Sequence, residues 1–173
     1  YDLENLRVDG TLKGREFHVF GEDAETASFN FSLANKSLLF KSLKLKKSRG
    51  EVIGNANISL SNGYAEVEGS GNGLRLSDFN FYNKLKLAYD ADLNVEFDGN
   101  GTADTFSSRI KFKTIDPFIG NMPASQSSGL VYLNHDDLIA KINLLGNKIK
   151  LDTIYDYLTN QVTLKSIIET QDL

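Results

Sequence analysis

Apolar residues recur at every second position through much of this chain, and the cleanest stretch runs from Lys84 to Asp98. Leu85, Leu87, Tyr89, Ala91, Leu93, Val95 and Phe97 there alternate with Lys84, Lys86, Ala88, Asp90, Asp92, Asn94, Glu96 and Asp98. Successive side chains of a strand point to opposite faces, so the pattern predicts one long strand with a greasy face and a charged face. At about 3.3 Å per residue it would span on the order of 45 Å, far longer than a common strand. A two-residue hairpin inside the run would swap the parity of the apolar positions, and the parity holds. One continuous strand is favoured, although a three-residue turn near Asp90 to Asp92 would also preserve it.

The same rhythm runs along the rest of the chain. Leu3, Leu6 and Val8 lead into Asp9-Gly10, and Thr11-Leu12 into Gly14, which predicts short apolar pieces punctuated by turns. Phe17 and Val19 end at Gly21; Phe29, Phe31 and Leu33 follow with serine and asparagine between them. Leu38 and Phe40 have even parity while Leu43 and Leu45 have odd parity, so a bulge at Lys41-Ser42 is expected to shift the phase. Val52, Gly54, Ala56, Ile58 and Leu60 alternate with a polar face that only Ile53 breaks. Asn62-Gly63 then supplies the positive φ of a tight turn, and a hairpin from Val52 to Gly69 is predicted.

Beyond it, Leu74, Leu76, Phe79 and Phe81 alternate like a further strand, and Phe106, Ser108, Ile110 and Phe112 form another. Thr114 to Gly129 holds both prolines, Pro117 and Pro123, and reads as an extended loop before a short strand at Leu130 to Leu133. The stretch from His135 to Leu145 suits a strand through Leu138, Ala140, Ile142 and Leu144. It also suits a helix through Leu138, Ile142 and Leu145, and the continuing alternation of Ile149 and Leu151 favours the strand. A Tyr-rich bend at Tyr155 and Tyr157 precedes a last strand with Val162, Leu164 and Ile168. The sum is an all-β chain of a dozen or more strands joined by tight turns.

Composition narrows the functions available. The chain has 173 residues, 40% apolar and 24% charged, enough for one domain with a sizeable core. Its net charge of −4 argues against a nucleic-acid binder, since phosphate neutralisation needs a clustered basic surface. The one basic cluster, Lys41, Lys44, Lys46, Lys47 and Arg49, reads as a solvated strand face. With no cysteine there is neither a disulfide nor a thiolate metal site. No apolar run reaches the roughly 18 residues of a membrane span.

Catalysis has little to stand on: His18 and His135 are the only histidines, and neither joins a recognisable serine and acid arrangement. His135-Asp136-Asp137 reads as a solvated turn, and Asp90, Asp92, Glu96 and Asp98 as a solvent-facing acidic surface rather than a cation site. Gly69, Gly71 and Gly73 give a GxGxG run, but the following residues alternate like a strand, so Gly-rich strand ends or bulges fit it better than a nucleotide loop. No catalytic residue, metal ligand or cofactor is expected. The apolar stripe is the remaining candidate, and period alone leaves two readings open: a packed closed core, or the lining of an open groove.

The succession SLKLKKSRGEVIGNANISLSNGYAEVEGSGNGLRLSDF, followed by DADLNVEFDGNGTADTFSSRIKF, resembles the TamB and broader AsmA-like family. Gly50 to Leu60, Asn62-Gly63, and Asp98-Gly99-Asn100-Gly101-Thr102 carry the likeness, which covers roughly Ser37 to Lys113. The resemblance implies a β-taco, an elongated, twisted antiparallel sheet curled into an open trough, with residues 1–173 forming one segment of a longer protein. It further implies a translocation and assembly module in the periplasm of a diderm bacterium, anchored in the inner membrane. Its expected partners are phospholipid acyl chains and, through other parts of the protein, an outer-membrane barrel of the barrel-assembly superfamily. The groove residues on this reading are Val52, Ala56, Ile58, Leu85, Leu87, Tyr89, Leu93, Val95, Phe97, Ile110 and Phe112. The rival readings are a β-solenoid adhesin or passenger, and a closed barrel around one small ligand, each with a filled core.

Overall fold

In the computed structural model, which describes residues 6–19 and 21–169, the alternating segments form a single antiparallel sheet. Its strands are β1 (Val8–Val19), β2 (Glu22–Ala34), β3 (Ser37–Lys47), β4 (Gly50–Ser59), β5 (Ala65–Arg75) and β6 (Tyr89–Gly101). They continue as β7 (Ser107–Ile119), β8 (Met122–Pro123), β9 (Ser128–Leu133), β10 (Asp137–Leu144), β11 (Ile149–Asp156) and β12 (Gln161–Ile168). The order in space follows the order in sequence, with the two-residue β8 set aside as a partner of β7, and β1 and β12 are the two margins of a sheet that does not close. A 3₁₀ turn (Leu76–Asp78) and a six-residue helix, α1 (Asn80–Leu85), lie in the connection from β5 to β6.

Pairing keeps the apolar positions in register across the sheet. One row runs Leu45, Val52, Gly71, Val95, Phe112, Gly129, Ile142 and Leu151, each paired with the next on the adjoining strand. The opposite face carries the charges, joined across strands by Lys44–Glu51 at 2.5 Å, Arg109–Asp98 at 2.7 Å and Lys111–Glu96 at 3.4 Å. These exposed pairs contribute little each; they take up Lys44 of the basic cluster and Glu96 and Asp98 of the acidic stripe.

Among the described residues no second sheet covers the apolar face. Packing falls between strands adjacent in the sheet, with the 3₁₀ turn resting on β6. Among the described residues the buried apolar side chains are Ala27, Leu74, Tyr82, Ala91 and Ala140, and no large side chain is fully buried. Leu93, Val95, Phe97, Ile110 and Phe112 are all only half-buried. This is an open curled sheet, not a sandwich with a sealed interior.

Several expectations need correction. The run from Lys84 to Asp98 is not one strand: β6 starts at Tyr89, and the Leu74-to-Leu87 alternation breaks into the 3₁₀ turn and α1. Tertiary contacts outweigh the period here, because this segment folds back onto the sheet. The backbone N–H of Asn80, an orphan donor in the first turn of α1, reaches the Glu22 carboxylate at 2.9 Å. Lys86 ends the helix in the left-handed conformation. β6 passes through Asp90 to Asp92 without a turn.

Asp9-Gly10 and Gly14 are not turns either; they lie inside β1, where a Cβ on Gly10 would come within 2.6 Å of the Phe31 ring. Leu3 lies outside the described residues. The extended loop from Thr114 is mostly strand: β7 runs on to Ile119 through a bulge at Asp116 (φ 44°) that accommodates Pro117, and β8 folds back on it. The bulge in β3 stands as expected, with the register shifting between Phe40 and Leu43 and Ser42 at φ 54°. So do the hairpin of β4 and β5, the glycine-run bulge at Gly73 (φ 64°), and the strand reading of β10.

Candidate functional site

The segment between β5 and β6 turns part of the apolar face into a groove. It is held at one side by Asn80, whose side-chain amide donates to the Gly21 carbonyl at 2.9 Å, and by Lys47, which binds Glu22 at 3.0 Å and lies 5.3 Å from the Phe79 ring centre. It is held at the other by Asp90, which accepts from Arg75 Nε at 2.7 Å and from the backbone N–H and hydroxyl of Ser77 at 3.1 and 3.0 Å. Arg75 also reaches Asp92 at 3.2 Å, and Arg49 pairs with the same carboxylate. Burial pushes the Asp90 carboxyl up, but Ser77 and Arg75 outweigh it and leave its pKa below the usual carboxylate range.

Between this segment and the sheet lies a cavity of about 550 Å³. Leu76, Tyr82 and Leu87 form one wall; Tyr89, Leu93 and Val95 of β6 and Ile110, Phe112, Thr114 and Ile119 of β7 form the floor. Ile142 and Leu144 of β10, with Leu145 and Ser127, close the far side. The size suits a small or flexible ligand.

Its few polar groups are spent on one another. Thr114 and Ser127, 2% and 3% exposed, are linked by Ser127 N–H to Thr114 Oγ1 at 2.7 Å and Thr114 Oγ1 to the Ser127 carbonyl at 3.1 Å. The Tyr89 hydroxyl lies 3.1 Å from Thr114 Oγ1 and 3.2 Å from Ser127 Oγ. Tyr82 donates its hydroxyl to the Tyr89 carbonyl, and its phenol pKa is raised, by burial first and by the Asp90 charge second. Among the described residues no buried side-chain nitrogen or oxygen lacks a partner. The groove therefore offers a ligand mostly carbon, with each of its buried polar atoms already holding a partner, which disfavours a charged head group inside it.

Glycines shape the floor. Gly129 sits between Phe112 and Ile142, and a Cβ there would lie 2.4 Å from the Phe112 ring, so the ring lies flat over the glycine instead of standing into the groove. Gly69 seats Phe97 in the same way.

Of the residues singled out in the sequence, Leu87, Tyr89, Leu93, Val95, Ile110 and Phe112 meet in this groove. Phe97 lies one step further along the same face, beyond the lining; Val52, Ala56 and Ile58 share the face on β4 but stand outside the groove. Leu85 ends α1 and is 59% exposed. Sequence reasoning missed Leu76, Tyr82, Ile119 and Leu145 as lining residues. Ile142 and Leu144 were visible as one face of a strand, yet nothing in the alternation says which strands meet.

Fold and site together define an all-β open sheet with a lateral apolar groove. No protein-family model, curated protein or solved structure matches the chain.

Proposed function

We propose that the chain is a non-enzymatic segment of the β-taco kind, related to the TamB and AsmA-like proteins, that takes phospholipid acyl chains along its apolar face. On this reading it works in the periplasm of a diderm bacterium, in lipid movement between membranes or in support of outer-membrane assembly. The observation that carries the proposal is a carbon-lined groove, its buried polar groups already paired, in a sheet whose apolar face is covered by no second sheet among the described residues. Each acyl CH₂ moved from water into such a lining contributes about 0.8 kcal/mol, so a tail binds without any polar chemistry. The paired floor sorts the ligand by excluding its head group.

The test is photo-crosslinking in cells from a reactive side chain placed at Tyr89, Val95 or Phe112. Phospholipid adducts at these three positions, and none from the charged face at Lys111, are expected. Absence of lipid at all three would sink the reading.

A further inference from the structure

The strand end that carries Leu87 and Ile119, two of the groove's lining residues, is both greasy and cationic. Leu85 and Leu87 are 59% and 57% exposed, and Met122, at the tip of the β7–β8 hairpin, is 69% exposed. The hairpin is tied to the groove segment by the Gly120 N–H, which donates to the Ala88 carbonyl at 2.8 Å, and Met122 pairs with Ile119, itself a lining residue. Lys84 and Lys86 alternate with the two leucines, and neither residues 84–89 nor residues 119–124 contain an acid. The opposite end also exposes apolar residues, Tyr157 and Leu158, but these follow Asp156 directly, and the Tyr157 N–H bonds to the Asp136 carbonyl. Solvent-exposed leucine and methionine bracketed by lysine, in a chain whose net charge is −4, mark a surface matched to an anionic bilayer.

We propose that this end docks on an anionic lipid bilayer, with Leu85, Leu87 and Met122 entering the interface and Lys84 and Lys86 lying at the level of the lipid phosphates. The inference rests on the acyl-binding reading of the groove, since Leu87 belongs to both surfaces and docking would bring the groove's lining beside the source of its ligand.

Vesicle co-sedimentation of the purified chain tests it, using phosphatidylcholine alone and phosphatidylcholine mixed with phosphatidylglycerol. Binding to the mixed vesicles only, released by salt, is expected. Lys84→Gln with Lys86→Asn, the asparagine suiting the left-handed position, should weaken it about twenty- to thirtyfold at the usual contribution per lysine. Leu85→Gln with Met122→Gln should abolish it, and Leu158→Gln should leave it unchanged. Equal binding to both vesicle types, or an equal loss with Leu158→Gln, would overturn the proposal, as would self-association through this end that competes with vesicles. A soluble fluorescent fatty acid separates the two claims. If it binds the wild type while vesicles do not, docking falls and the groove reading stands; if vesicles bind and the fatty acid does not, the groove reading falls and docking stands.

Discussion

The β4 stretch and the β6–β7 pair have the same alternation, the same face and the same register row, yet only one of them forms a site. Val52, Ala56 and Ile58 stand outside the groove, with no wall over them among the described residues, whereas Leu93, Val95, Ile110 and Phe112 lie under Leu76, Tyr82 and Leu87. Alternation makes a face; a groove needs a second wall, and here the connection between β5 and β6 supplies it. That wall is fastened by ion pairs and hydrogen bonds to Asp90, Asp92, Gly21 and Glu22, none of which belongs to the apolar pattern itself.

The largest expected effect breaks the comparison outright. Val95→Asp should weaken fatty-acid binding by at least about tenfold, because a carboxylate would face ligand CH₂ groups in a water-poor groove. Val52→Asp, on the same row but uncovered, should change binding by less than about twofold. Fluorescent fatty-acid titration reads both, and circular dichroism should show the sheet retained in each, as neither position is fully buried. Equal losses would mean that the whole face binds and the covering segment is incidental.

A smaller effect sharpens it. Gly129→Ala should lift the Phe112 ring into the groove, reducing affinity for a full-length acyl chain more than for a short one. Gly69→Ala should cost about 1–3 kcal/mol of stability, since its Cβ would meet both the Phe97 ring and the Ile53 carbonyl at 2.4 Å, without altering chain-length preference. Thermal melts and a ligand series of graded chain length distinguish the two.

The smallest effect concerns the fastening. Asp90 has its pKa lowered on folding, so its contribution is complete above the unfolded value of about 3.9 and is lost as pH falls through the folded one. Protection from hydrogen exchange in residues 76–88, taken against the intrinsic rate at each pH, should therefore fall on acidification below about pH 4, ahead of protection in β6 and β7. Asp90→Asn should remove that acid limb.

Much of the architecture was legible because it is written in parity. The bulge at Ser42 shows as a phase change between Phe40 and Leu43, and the β4–β5 hairpin as Asn62-Gly63 between two alternating runs. What parity does not encode is where a segment leaves the sheet. Leu74 and Leu76, then Phe79 and Phe81, then Leu85 and Leu87 keep a two-residue spacing, yet the segment leaves the sheet because Asn80 reaches Glu22, 58 residues earlier in the chain, and Ser77 reaches Asp90. Pro117 misled in the opposite direction, since a bulge at Asp116 accommodates it within a strand. Of the six proposed groove residues that meet, Tyr89, Leu93, Val95, Ile110 and Phe112 do so because β6 and β7 are neighbours in sequence and in space, and Leu87 joins them from the connecting segment; Ile142 joins only through Gly129 on β9.

The unbroken meander has a further consequence for how the molecule comes apart. Each strand rests on the two that flank it in the chain, so cohesion is passed hand to hand, as in a repeat array, with no central mass to fail at once. Unravelling should begin at the margins, above all at β12, whose eight residues are all exposed, and proceed inward strand by strand. The covered pair in the middle would then be the last to let go, keeping the groove intact while the flanks breathe.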